Sequence, residues 1–125
     1  MLAGRFCANI CQREETSKLD KNTRRPLAVI LTALPIEYRS VRSHLKGLKE
    51  EVHKGIVYER GIFLAESCQW WVGIVQIGAG NAPAAVEAER AIAYFQPRTV
   101  LFVGVAGGLR DVRIGDVVAA TKVYG

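Results

Sequence analysis

No apolar run in this sequence approaches the roughly 20 residues that a helix needs to cross a bilayer. The opening stretch MLAGRFCANICQREE also lacks a long apolar block behind a basic head, so it does not read as a secretion signal. The expectation is a cytoplasmic protein with no membrane partner. Histidine is scarce: His44 and His53 are the two present, and neither shares a metal-ligand or triad spacing with cysteine or carboxylate. Both read as surface residues. Three cysteines, Cys7, Cys11 and Cys68, cannot all pair within one chain. Cys7 and Cys11 are spaced for one helix face, but no second Cys/His cluster completes a zinc site, so reduced thiols and no metal are expected. Charge of one sign is also modest. Of the net +5, three charges come from residues 1–26, where six Lys/Arg face three Asp/Glu; the other 99 residues carry eleven basic and nine acidic groups. That near balance argues against nucleic acid as a partner.

What is present is a globular composition, half apolar and 23% charged, in a chain of 125 residues that can bury one core. Residues 1–26 read as a mobile polar lead ending in Thr23-Arg24-Arg25-Pro26, and a domain is expected over 27–125. Leu27-Ala-Val-Ile-Leu-Thr-Ala33 is continuously apolar, as in a strand covered on both faces of a parallel sheet. Pro35 then suits the first turn of a helix. Tyr38, Val41, Leu45 and Leu48 recur at helical spacing, with Arg39, Arg42, Lys46 and Lys49 as a solvated stripe on another face. Residues 55–66 have β character with a turn or a bend at Gly61, and Trp70 to Ile77 is a further strand. The spacing of Ala84, Ala88, Ala91, Ile92 and Phe95 predicts a helix over Asn81–Phe95, capped by Asn81 and ended by Pro97. Thr99 to Ala106 reads as a strand buried on both faces, and Gly115 to Val123 as the start of another. The fold class is therefore α/β, with a mixed, mainly parallel central sheet. Two helices are too few to cover both faces of such a sheet, so the fold is expected to be partial, truncated after the fifth strand.

Ligands of open α/β sheets sit beyond the carboxyl ends of the strands. Three segments fall there: Thr32 to Glu37, Gly78 to Asn81, and Val105 to Leu109. The run Gly78-Ala-Gly80-Asn-Ala-Pro83 has the context of a dinucleotide fingerprint, but Pro83 replaces the third glycine and the next strand ends without an acidic residue. Both departures argue against dinucleotide binding. Taken alone, these glycines suit tight helix–sheet packing as well as a ligand loop. Glu37 has two open readings: it complements the positive end of a helix dipole, or it serves as a general base toward water. Asp111 and Asp116 flank the turn Val112-Arg-Ile-Gly115 and read as turn or capping residues.

Together, Ala33-Leu-Pro-Ile-Glu37, Gly78-Ala-Gly80-Asn81, Val103-Gly-Val-Ala-Gly-Gly-Leu109 and Ile114-Gly-Asp-Val-Val118 resemble the purine nucleoside phosphorylase/nucleosidase superfamily in order and spacing. The likeness is greatest to its hydrolytic branch, the methylthioadenosine/S-adenosylhomocysteine nucleosidases, and it covers about the first half of a typical family domain. Phosphorylase-like domains at the ends of larger bacterial proteins are similar too. The resemblance implies a partial three-layer nucleoside-phosphorylase-like fold and cleavage of the N-glycosidic bond of a purine-type nucleoside. It implies that Glu37 positions and activates the attacking water and that Leu34 packs against the ribose. Gly78, Ala79 and Gly80 would pass near the sugar, and Ala106, Gly107 and Gly108 would line the base. Val105 stands where many members carry a serine that binds the nucleophile or a phosphate oxygen, and valine cannot donate that bond. Water is thereby favoured over inorganic phosphate, which enters as co-substrate only in a phosphorylase; no other cofactor is implied. The acid for the leaving base and a Glu for the ribose hydroxyls would come from the later half of the family domain. This chain alone is then expected to be inactive or incomplete; the alternative is a non-catalytic nucleoside-sensing or interaction module, or a truncated gene product. Its open sheet edges predict a homo-oligomer or completion by a further segment.

Overall fold

The structure is a computed structural model that describes residues 25–66, 68–108 and 110–120. The expected lead over 1–26, with Cys7 and Cys11, lies outside the described residues except for Arg25 and Pro26. Seven elements follow: β1 (Leu27–Thr32), α1 (Pro35–Ser43), β2 (Leu45–His53), β3 (Ile56–Leu64), β4 (Gln69–Gln76), α2 (Asn81–Phe95) and β5 (Thr99–Phe102). They form one five-stranded sheet in the order β2-β3-β4-β1-β5. β1 pairs in parallel with β4 and β5, while β2, β3 and β4 form an antiparallel meander.

The two helices take opposite faces, giving three layers. Odd positions of β1 and β4, with Tyr58 from β3, pack against Ala91 and Phe95 of α2. Ala28, Val72, Ile74, Trp70 and Leu45 form the core on the other face, with Tyr38 and Val41 of α1 against them. The period-2 alternation of an all-apolar strand thus feeds two cores at once. α2 occupies the predicted residues, but Gly80 takes the N-cap position and Asn81 is the first helical residue. Within its predicted apolar face Ala91 and Phe95 are buried, whereas Ile92 is exposed. Gln96, with φ 46°, ends the helix in a left-handed conformation ahead of Pro97.

Four expectations are corrected. The first helix does not continue through Leu48. It stops at Ser43, and Leu45–His53 is a strand joined to β3 by the two residues Lys54 (φ 49°) and Gly55 (φ 79°). Positive φ at both positions matches the twist of paired strands, and hairpin pairing overrides the weak helical spacing of Leu45 and Leu48. Gly61 is not a bend. It lies in β3 opposite an irregularity between Lys46 and Lys49, where a Cβ would stand 3.0 Å from Leu45 Cβ and 3.1 Å from the Lys46 carbonyl. Its missing side chain gives room to a bulge in the neighbouring strand. Finally, the strand at Thr99 ends at Phe102 and is exposed on both faces, because it is the sheet's edge and the helices lie over its neighbours. Residues 115–120 form no strand, and Val117 and Val118 are exposed; residues 121–123 of that expected strand lie outside the described residues.

The basic stripe also divides. Arg42 donates from Nε (2.7 Å) and Nη2 (3.0 Å) to Glu59, which accepts a third bond from the Tyr38 hydroxyl at 2.7 Å. Burial and the nearby Glu59 carboxylate push the Tyr38 phenol well above its ordinary range. His53 is not a free surface residue: its ring stacks on Tyr94 at 4.3 Å. Trp70 is buried, while Trp71 carries the guanidinium groups of Arg25 and Arg60, each 5.4 Å from its ring centre. No described helix is long and apolar enough to cross a membrane.

Candidate functional site

The three parallel strands end at one rim. Ile77 N–H donates to the Thr32 carbonyl (2.8 Å) and Val103 N–H to the Leu31 carbonyl (2.9 Å), so the ladders run on past the ends of β4 and β5. The segments after β1, β4 and β5 therefore leave the sheet side by side. The first is Ala33-Leu34, with Leu34 extended (φ −108°, ψ 150°) and Pro35 opening α1. A residue before proline is biased to this conformation, which turns the chain abruptly from strand to helix. It also places Glu37 at the third helical position, where its side chain folds back on the turn.

Glu37 is the centre of this rim. Oε2 accepts from the N–H groups of Ala33 (3.0 Å) and Leu34 (2.8 Å), and Oε1 accepts from Val105 N–H at 2.9 Å. The residue is only 7% exposed. The Val105 and Leu34 N–H groups, with a smaller contribution from Ala33, hold the carboxyl below its ordinary range against the opposing effect of burial. The group is therefore an anchored anion. Three donors occupy three of its roughly four acceptor positions, leaving room for one further donor such as water. A carboxylate with a depressed pKa is a weak proton acceptor, so it suits orienting a nucleophile and facing positive charge better than storing a proton. The same place in the first turn of α1 complements the helix dipole, so the geometry is compatible with both readings of this residue.

The structure ties Glu37, the Leu34 backbone and Val105 together directly. Leu34 is 46% and Val105 83% exposed at this rim, so both side chains face outward. Gly78 to Gly80 leave the same rim after Ile77. Gly78 (φ 76°) and Gly80 (φ 113°) are glycines for their backbone angles: no atom would meet a Cβ at Gly78, and Pro83 would stand at an ordinary 3.6 Å from one at Gly80. Gly78 is half-buried, while Ala79 and Gly80 are exposed. Ala106, Gly107 and Gly108 follow Val105 and are exposed, with no described hydrogen bond to Glu37. A side chain at Gly108 would run into Val112. Asp116 belongs to its own turn, accepting from Arg113 N–H at 2.7 Å.

Sequence reasoning missed the donor on the other oxygen of the carboxylate, the N–H group of Val105, and it passed over Gly104. A lone glycine inside the run Val103-Gly-Val105 is a signal of close approach that the residues do carry. Among the described residues no group of three or more His, Cys, Asp or Glu could hold a metal ion. An apolar cleft of about 370 Å³, lined by Ile30, Val41, His44, Leu101 and Val103 among others, lies on the α1 face beside β5 and does not include Glu37.

A three-layer sheet with an anchored anion and small-residue turns at its carboxyl rim places this domain in the α/β class whose ligands sit beyond the strand ends. The chain belongs to the phosphorylase superfamily, whose family profile matches residues 28–125. It is similar to the 5′-methylthioadenosine/S-adenosylhomocysteine nucleosidase of Chromohalobacter salexigens, with 32% identity over 95 residues that make up 75% of this chain and 39% of that protein. The chain thus spans well under half the length of the curated relative. Among solved structures it is similar to the Colwellia psychrerythraea nucleosidase of the same name in complex with adenine, at 29% identity and TM-score 0.58 over 69% of this chain and 34% of that one. The Streptococcus pneumoniae MTA/SAH nucleosidase in complex with 8-aminoadenine shares 26% identity, with TM-score 0.62 over 71% of this chain and 38% of that one. The three-layer nucleoside-phosphorylase-like fold is the fold these structures share with it.

Proposed function

We propose that the chain carries the sugar-facing part of a nucleoside site, for N-glycosidic cleavage of a purine-type nucleoside with water as the nucleophile. The observation that carries this reading is the Glu37 carboxylate, held ionised at the strand rim by three backbone N–H groups with one acceptor position left over. Cleavage of such a bond passes through a cationic, oxocarbenium-like sugar. A fixed anion beside the anomeric carbon stabilises that charge and aligns a water to attack it. Leu34 would give the ribose an apolar wall, Gly78 to Gly80 would let backbone approach the sugar, and Ala106 to Gly108 would line the base. Val105 supports water over phosphate, because its side chain has no donor and its N–H is already bonded to Glu37. The names of the relatives, and the adenine and 8-aminoadenine in the two structures, support a purine-type ligand.

In this reading the acid that protonates the departing base, and a carboxylate for the ribose hydroxyls, belong to the part of the relatives that this chain does not span. The domain of 27–125 then binds a nucleoside without turning it over. The exposed edge of β5, with Phe102 60% exposed, would be covered by a second copy or by a further segment. The reading also places the protein in the cytoplasm, where Cys68 stays a free thiol.

A non-catalytic nucleoside-sensing module is the second reading, favoured by the fact that the three described bonds of Glu37 all go to the chain's own backbone. Calorimetry separates the two. Adenosine, methylthioadenosine and inosine are compared with a cationic iminosugar analogue of the nucleoside, in the natural chain and in Glu37→Gln. A carboxylate that serves the transition state favours the cationic analogue, and the variant loses that preference while keeping the neutral nucleosides. Equal losses for both ligands support the sensor. No binding by a folded chain overturns the site, and base release by the chain alone refutes the assignment of the remaining catalytic groups.

A further inference from the structure

Gly104 lies between β5 and Val105, and its φ is outside the left-handed region, so its backbone conformation is open to any residue. Space is what it lacks. A Cβ built there would stand 2.9 Å from Glu37 Oε1, 3.3 Å from Cδ and 3.5 Å from Oε2. We propose that Gly104 is a positioning residue for the Glu37 carboxylate, its absent side chain being the seat into which Oε1 fits. The proposal deepens the nucleoside-site reading by naming a residue on which the orientation of the anion depends.

A flexible glutamate normally yields to a new methyl group at little cost. This one is tied on both sides: Oε2 to Ala33 and Leu34 at the start of α1, and Oε1 to Val105 beyond β5. The few tenths of an ångström that Oε1 must give strain the carboxylate against these three bonds. Oε2, at ordinary contact distance from the new methyl, keeps its two partners, so the carboxylate pivots on that oxygen and Oε1 leaves the Val105 N–H. The acceptor position left for water moves with it. Val105 is then freed, and the anion loses the donor that does most to hold it ionised.

The test is Gly104→Ala in the whole chain, with ¹³C NMR titration of the Glu37 side-chain carboxyl. The expected result is an upward move of that titration toward the ordinary carboxylate range, with loss of the hydrogen-bonded shift of the Val105 amide proton. Urea midpoints supply a second measurement: Gly104→Ala lowers the midpoint in the natural chain and leaves it unchanged in a Glu37→Ala background, where no carboxylate remains to displace. An unmoved Glu37 titration, or an equal loss in both backgrounds, overturns the proposal. Neither measurement needs a ligand, so both decide the seat even if nucleosides do not bind. If they do bind, Gly104→Ala weakens the cationic analogue by about tenfold relative to the neutral nucleoside, and an unchanged preference contradicts the positioning role.

Discussion

Phe95 closes α2 onto the sheet by laying the tip of its ring on Gly73, in the middle of β4. A Cβ at Gly73 would stand 2.9, 3.0 and 3.2 Å from Cζ, Cε2 and Cε1 of that ring. The ring cannot slide away freely, because Tyr58 meets it edge-on at 5.2 Å and Tyr94 at 4.7 Å. Gly73→Ala therefore overpacks the α2 face and is expected to cost about 1–3 kcal/mol. Phe95→Leu removes the ring tip and leaves a small void, costing about 1–2 kcal/mol. In the double variant the new methyl enters the space the ring has left, so the two costs do not add, and a coupling of at least about 1 kcal/mol in the favourable direction is expected. Urea unfolding followed by the fluorescence of Trp70 and Trp71, on opposite faces of the same strand, measures all three. If Gly73→Ala costs the same in both backgrounds within about 0.5 kcal/mol, the close contact does not govern the seat of the helix and the reasoning fails. The contact matters to the rim because α2 begins at the Gly78–Gly80 turn, and tilting its far end moves that turn.

Two further measurements address the charged groups. Because the folded-state pKa of Glu37 is lowered, its contribution to stability is fully present above the unfolded carboxylate value of about 4.3 and is lost as pH falls through the folded value. Urea midpoints from pH 7 to pH 3 should show this acid loss in the natural chain and a shallower one in Glu37→Gln; parallel curves would refute it. Tyr38→Phe removes one of three bonds to Glu59 while Arg42 still satisfies that carboxylate, so a loss of about 0.5–1.5 kcal/mol is expected. No change in the urea midpoint would show that the hydroxyl bonds water equally well.

Legibility in the sequence followed the range of the interactions. α2 was readable end to end, since its alanine face and Pro97 act within a few residues of one another. β1 was readable as an unbroken apolar run, and β4 as the strand within Trp70 to Ile77. β2 was not: Leu45 and Leu48 continue the spacing of Tyr38 and Val41, and nothing within 45–53 reveals that the strand will pair with 56–63 through Lys54-Gly55. The length of β5 was overestimated for a related reason, because apolar residues in an edge strand look the same as those in a covered one.

The sequence by itself determined the α/β class, the α2 helix and the local half of the Glu37 geometry. The bonds to Ala33 and Leu34 span three or four residues and follow from a strand that breaks at a proline. Only the tertiary structure decided the other half. The bond to Val105 joins residues 68 apart in the chain. It exists because the parallel register that sets Leu31 beside Phe102 carries the end of β5 across to α1. Local bonds are dictated by neighbours in the chain, whereas register is chosen by burial on both faces of the sheet, a property of the whole fold.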